Sequence, residues 1–139
     1  MNYTLSIIKP DAVERNLVGK ILNIICEAGF FIVGLKMMML NRHKIEQFYQ
    51  EHRDKPFFND LVEYMMSGPI VAVLLVKENA VEDFRKLIGD TDPKKAQKGT
   101  IRNMFGIDTQ KNSIHGSATV ADAAREKEFF FASCEYFLD

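Results

Sequence analysis

The residues predict an α+β fold: a ferredoxin-like βαββαβ sandwich, its four-stranded antiparallel sheet carrying helices on one face and an inserted helical pair. Three observations support this. Strand-like and helical patterns alternate closely along the chain. The most continuous apolar run, Ile70 to Val76, reads as a central strand covered on both faces. The 139 residues suffice for one substantial core, and no linker, repeat or low-complexity tract divides them. Residues 1–139 are therefore read as a single domain.

The elements follow in order. Tyr3 to Ile8 is a short strand closed by Lys9-Pro10, because proline cannot donate to a ladder. Asp11 suits the start of a short helical turn. Val18, Ile21, Leu22, Ile25 and Ala28 hold helical spacing, and Gly29 stands where a helix stops. Phe31 to Leu40 is a second strand. Ile45, Phe48, Tyr49 and His52 repeat at helical spacing until Lys55-Pro56 breaks the helix. Phe58 to Met66 is another helix, stopped by Ser67-Gly68-Pro69. After the central strand, Ala80 to Ile88 is helical, with Val81, Phe84 and Ile88 on one side. Gly89 to Ile114 lacks regular pattern, and a stretch that long inside a compact domain points to function or disorder. A short fourth strand is expected near Ser113 to Gly116. Thr119 to Phe131 is a final helix, with Thr119 and Asp122 resembling a capping pair.

Composition narrows the function. A formal net charge of −1 disfavours DNA or RNA as the main ligand, while small anions need only local positive charge. No apolar run is long enough to span a bilayer and no signal peptide is visible, which makes the cytoplasm the expected compartment. Cys26 sits in an apolar helical pattern and is read as a buried thiol; with Cys134 it forms no disulfide framework. His43 and His52 share no metal-ligand spacing with each other or with the cysteines and are read as structural.

The irregular segment is also the most basic. Between Lys94 and Lys111 stand Lys94, Lys95, Lys98, Arg102 and Lys111 against Asp108 alone, a local net of +4. A solvated loop would have this composition, but length and glycines make an anion-binding loop a serious rival. Asn112-Ser113-Ile114-His115-Gly116-Ser117 follows. Gly116 permits close approach to His115, and Ser117 can hydrogen-bond nearby side chains. Glu126 lies on the next helix, where it could fold back toward the imidazole. A nucleophilic imidazole needs one unprotonated nitrogen and an acceptor holding the other.

Asn112-Ser113-Ile114-His115-Gly116-Ser117 resembles the active-site signature of nucleoside diphosphate kinases. The likeness covers nearly the whole chain. Tyr3 to Asp11 is similar to that family's first strand and its lysine. Phe48-Tyr49 through Lys55-Pro56-Phe57-Phe58 is similar to its nucleotide-gripping helix pair. Ser67-Gly68-Pro69 before an apolar strand, Gly89-Asp90-Thr91-Asp92-Pro93, and Gly99-Thr100-Ile101-Arg102 match as well. Each motif alone is weak; their order and spacing together are specific.

The resemblance implies an enzyme that moves the γ-phosphate of a nucleoside triphosphate such as ATP to a nucleoside diphosphate. It implies ping-pong transfer through a phosphohistidine at His115, on Nδ1. Glu126 and Ser117 would orient the ring. Lys9, Arg85, Thr91 and Arg102 would bind phosphates, with Tyr49 beside Lys9 near the transferred group. Lys9 and Asn112 would bond the ribose hydroxyls, and Phe57 would stack on the base. Mg²⁺ would arrive with the nucleotide, not in a protein cage. Stacking tolerates any base, so ribo and deoxy nucleotides of all kinds are expected substrates. A homo-oligomer is implied, a hexamer more often than a tetramer, with the loop around Pro93 near a subunit contact.

Two positions depart from the family pattern. Ala118 stands where an aspartate is common, and Thr109 replaces an apolar residue that often faces the base. Without the resemblance, Lys9 and Arg85 would read as surface charges, and Tyr49 and Phe57 as core aromatics. Thr91 would read as the start of a turn, and Glu126 as half of a helix-surface ion pair. Two other function classes compete. One is an RNA-binding or ligand-sensing module on the same sheet; an RNA-recognition motif would place aromatics on its first and third strands, but the third, Ile70 to Val76, is wholly aliphatic. A histidine phosphocarrier would not need Tyr49, Phe57, Arg85 and Asn112 together.

Overall fold

The computed structural model describes residues 2–138. In chain order the elements are β1 (Asn2–Ile8), α1 (Pro10–Glu14), α2 (Val18–Glu27), β2 (Phe31–Met38), α3 (Arg42–Phe48), α4 (Phe58–Met65), β3 (Ile70–Lys77), α5 (Ala80–Ile88), α6 (Ile101–Phe105), β4 (Ile114–Gly116) and α7 (Val120–Phe130). Single 3₁₀ turns at Gln50–His52 and Ser133–Glu135 complete the set. The strands form one antiparallel sheet in the order β2-β3-β1-β4, the ferredoxin-like arrangement.

Period-two alternation sends the side chains of β3 to two separate cores. Ile70, Ala72 and Leu74 join Leu5 and Ile7 of β1 on one face, under Ile45, Phe48, Leu61, Val62 and Phe130. Val71, Val73 and Leu75 join Ile8 on the other, under Ile21, Ile25, Phe84 and Ile88. The crossover helices α2 and α5 thus share one face, as the sequence predicts. The opposite face is covered by the inserted pair α3 and α4 together with α7. This second layer is why β3 is buried along nearly its whole length.

The ends of the elements follow local chemistry. Gly29, at φ +93°, closes the turn after α2. Asn41 caps α3 by accepting from the Lys44 N–H, and Thr119 caps α7 by accepting from the Asp122 N–H. An extra residue at Val33 shifts the register between β2 and β3. Phe137 then donates its N–H to the Val33 carbonyl, so the C-terminal tail lies against this edge.

Three expectations need correction. Cys26 is exposed, because it sits one step around α2 from the buried stripe of Ile21 and Ile25. The second strand ends at Met38, two residues early. The segment from Gly89 to Ile114 also contains a helix, α6, whose single buried residue Ile101 gives no periodic signal.

Candidate active site

β4 pairs with β1 so that Ile7 opposes His115. The ring therefore points to the face shared by α3, α4 and α7, while Ile114 is buried on the other. Its edge-to-face contact with Phe48 has centroids 5.7 Å apart. On α7 the buried stripe reads Ala123, Glu126, Phe130. A carboxylate only 3% exposed in an otherwise apolar stripe needs partners, since burying an unpaired charge is costly. Glu126 has them: its Oε1 lies 2.9 Å from His115 Nε2 and accepts from Ser117 Oγ at 2.8 Å. Ser117 Oγ in turn accepts the Leu5 N–H at 3.1 Å, tying the pair to β1. Ser117 and His115 meet the same carboxylate oxygen and share no hydrogen bond with each other. With Nε2–H donated to the carboxylate, Nδ1 has no partner among the described residues and keeps its lone pair.

His115 lines a cleft of about 620 Å³. Lys9, Tyr49, Phe57, Arg85, Thr91, Arg102, Asn112 and Glu126 line it too, so the fold gathers nearly every predicted site residue into one hollow. Ser117 stands behind Glu126, outside the lining.

Lys9 ends β1 and is only 7% exposed. Its Nζ donates to Asn112 Oδ1 at 2.9 Å and to the Gln110 carbonyl at 3.4 Å. Burial lowers its pKa to about 8, and the nearby Arg102 charge adds to that. Asn112 anchors the loop by donating to the Thr91 and Thr109 carbonyls. Arg102, on α6, donates to the Gly89 and Ile114 carbonyls, and burial followed by the Arg85 charge brings its pKa to about 10. Among the described residues no carboxylate is bonded to either guanidinium, so this side of the cleft carries uncompensated positive charge. The Arg85 side chain makes no hydrogen bond or ion pair among the described residues. Burial, and then the charge of Glu126, push the Tyr49 phenol up, so it stays protonated.

The loop from Gly89 to Asn112 organises itself. Asp90 accepts from the Asp92 N–H, Asp92 from that of Lys94, and Asp108 from those of Gln110 and Lys111. Of the five basic residues between 94 and 111, only Arg102 lines the cleft.

At the opposite end Phe57 is half exposed, with Leu61, Asp60 and Thr109 nearby on the lining. His52, read from sequence as structural, also lines the cleft, with its ring 5.7 Å from that of Phe57. Arg125 was not anticipated either. It borders the cleft, lies over the Phe48 ring and approaches Glu126 Oε2 at 3.6 Å. Its place directly before Glu126 was the only sign available. Among the described residues no three metal-ligating side chains converge. No described helix is long and apolar enough to cross a membrane.

The chain is similar to proteins of one family. A family model described as nucleoside diphosphate kinase matches residues 2–136. The chain is 52% identical over 134 residues to a nucleoside diphosphate kinase of Pasteurella multocida, covering 96% of each. It is 50% identical over 137 residues to that of Histophilus somni, covering 99% of this chain and 97% of the relative. Among solved structures, the Aquifex aeolicus nucleoside diphosphate kinase superposes with a TM-score of 0.95 at 43% identity, covering 98% of this chain and 99% of that one. The Halobacterium salinarum nucleoside diphosphate kinase in complex with CDP gives 0.95 at 36% identity, covering 99% and 92%.

Proposed function

The chain belongs to the nucleoside diphosphate kinase family, enzymes that pass a γ-phosphate from a nucleoside triphosphate to a diphosphate, and from that premise we propose that His115 Nδ1 is the atom that carries the phosphoryl group. One observation supports this most strongly: the bond of His115 Nε2 to Glu126, which leaves Nδ1 as the free nitrogen of a ring bordering the cleft that Lys9, Arg85 and Arg102 also line.

In the first half-reaction the Nδ1 lone pair forms a bond to the γ-phosphorus as the bond to the bridging oxygen breaks. The diphosphate leaves with that oxygen's electrons. The imidazole becomes cationic in the process, and the buried Glu126 carboxylate stabilises that charge through Nε2–H. Lys9, Arg85, Thr91 and Arg102 hold the phosphates in line, so positioning and charge neutralisation supply most of the catalysis. Tyr49 remains a protonated donor beside the reacting group. In the second half-reaction another diphosphate occupies the same place and takes the phosphoryl group back. Lys9 and Asn112 meet the ribose, and Phe57 stacks on the base.

Mg²⁺ would arrive with the nucleotide, not in a protein cage, and would offset phosphate charge alongside Lys9, Arg85 and Arg102. Residues 1–139 act as one domain. A homo-oligomer is part of this reading, a hexamer before a tetramer, and the exposed Phe31, Leu35 and Met37 of edge strand β2 support association without fixing the number of subunits. Two free, exposed cysteines suit the reducing cytoplasm.

The test is labelling with γ-labelled ATP and Mg²⁺. The protein should take up acid-labile, alkali-stable label, and GDP, CDP and UDP should discharge it at comparable rates. A His115→Ala variant that labels like the parent would refute the assignment. Strict preference for one base would refute the role given to Phe57.

A further inference from the structure

Between Asn112 and Ile114 the chain passes through a conformation that only glycine adopts freely: Ser113 has φ +78°. The residue is fully buried. Its hydroxyl donates to Asp11 Oδ2 and accepts from Arg15 Nη2, both at 3.1 Å. Asp11 is itself buried and held by Arg15 at 2.9 Å and by the Tyr64 hydroxyl. Arg15 reaches on to the Phe105 carbonyl at the end of α6. The Ser113 carbonyl accepts the backbone N–H of Lys9 at 2.9 Å. None of these side chains lines the cleft. Yet the turn they hold has Asn112 on one side and His115 two residues beyond on the other, and Lys9 is bonded to both Ser113 and Asn112.

We propose that Ser113 is a positioning residue whose hydroxyl, clamped between Asp11 and Arg15, holds its left-handed backbone so that Lys9, Asn112 and His115 face one another across the cleft. A non-glycine residue in this region is strained and persists only where its surroundings over-determine it. Here the surroundings are a buried carboxylate and a guanidinium that saturate the hydroxyl, one as acceptor and one as donor. Without them the backbone is free to relax toward an extended conformation. That relaxation would swing Asn112 away from Lys9 Nζ and tilt the start of β4, which carries His115. The clamp draws on α1, α4 and the end of α6, so three separate elements set the placement of a site none of these side chains touches.

The proposal rests on His115 as the phosphate acceptor, and its test separates the two. Single-turnover phosphorylation by ATP and the nucleotide KM are measured for the parent, Ser113→Ala, Ser113→Gly, Arg15→Gln and the double variant Arg15→Gln with Ser113→Gly. Alanine keeps the strain and loses the clamp, so its phosphorylation rate should fall about tenfold. Glycine also loses the hydroxyl but adopts the turn without strain, so it should stay within about twofold of the parent. Arg15→Gln should be slow, and adding Ser113→Gly should restore it. That glycine rescue distinguishes placement from a simple contribution to stability, and the arginine pair carries the test if Ser113→Ala does not fold. Equal impairment in alanine and glycine, parental rates in alanine, or failure of the rescue would overturn the proposal. A parent chain that takes no label on His115 would instead overturn the underlying reading.

Discussion

At the scale of single residues, the site depends on how burial treats charge. Glu126 is a carboxylate in a helix stripe that should be apolar, and its partners are the His115 ring, the Ser117 hydroxyl and, at 3.6 Å, Arg125. Glu126→Gln keeps the shape and removes the charge, so the phosphorylation rate measured by rapid mixing should fall about 10- to 100-fold, with a smaller change in ATP KM. An unchanged rate would mean the ring needs no anionic partner. Lys9 makes a pH-dependent prediction. Its folded pKa is lowered from 10.5 to about 8, chiefly by burial. In its proposed role the ammonium binds phosphate, so ATP affinity should decline as pH rises through about 8, and in Lys9→Met this limb should vanish. The stability of the free protein moves the other way. Between about pH 8 and 10.5 the unfolded chain binds the extra proton, so the cost of burying Lys9 is present below the folded pKa and relieved above it. Calorimetry against pH would check the sign. The signature around His115 was legible because its residues are contiguous. The pairing of Ser113 with Asp11, 102 residues apart, was not, because only the fold brings them together.

At the scale of elements, short local codes place the side chains that line the cleft. Thr119 starts the helix that carries Glu126. Removing its hydroxyl in Thr119→Ala should lower stability by about 1 kcal/mol in urea unfolding while leaving most of the activity at low temperature. A parental midpoint would show that the cap is dispensable. β4 has only three residues, and Gly116 opposite Ser6 is what lets it lie close to α5: a Cβ there would meet Phe84 Cδ2 at 2.8 Å and Ile88 Cδ1 at 3.0 Å. Strands and long amphipathic helices were readable from periodicity, and α5 falls at the bounds its pattern indicates. α6 was not, since a five-residue helix with one buried side chain offers no period to detect. Cys26 was misread for a related reason: a one-residue offset on a helix moves a side chain by about 100°, from core to solvent.

At the scale of the whole molecule, a small sheet is covered twice, by α2 and α5 on one face and by α3, α4 and α7 on the other. The active cleft opens on the second layer, which the plain βαββαβ pattern does not require. That layer was readable as an inserted helical pair, but its side of the sheet was not, because helical periodicity states that a face is buried and not against what. The edge strand β2 pairs with no further strand among the described residues, the C-terminal tail bonding to it at Val33, and it exposes Phe31, Leu35 and Met37. A long apolar edge is an association surface or a liability. Leu35→Glu should therefore shift sedimentation toward smaller species without abolishing labelling of His115. An unaltered sedimentation coefficient would place the subunit contact elsewhere.

The central claim concerns one nitrogen atom. Nuclear magnetic resonance of the ¹⁵N-histidine-labelled protein after reaction with ATP distinguishes phosphate on Nδ1 from phosphate on Nε2. Phosphorylation of His115 at Nδ1, with Nε2 still protonated and hydrogen-bonded to Glu126, is the predicted result. Phosphate on Nε2, or on any residue other than His115, would contradict the account.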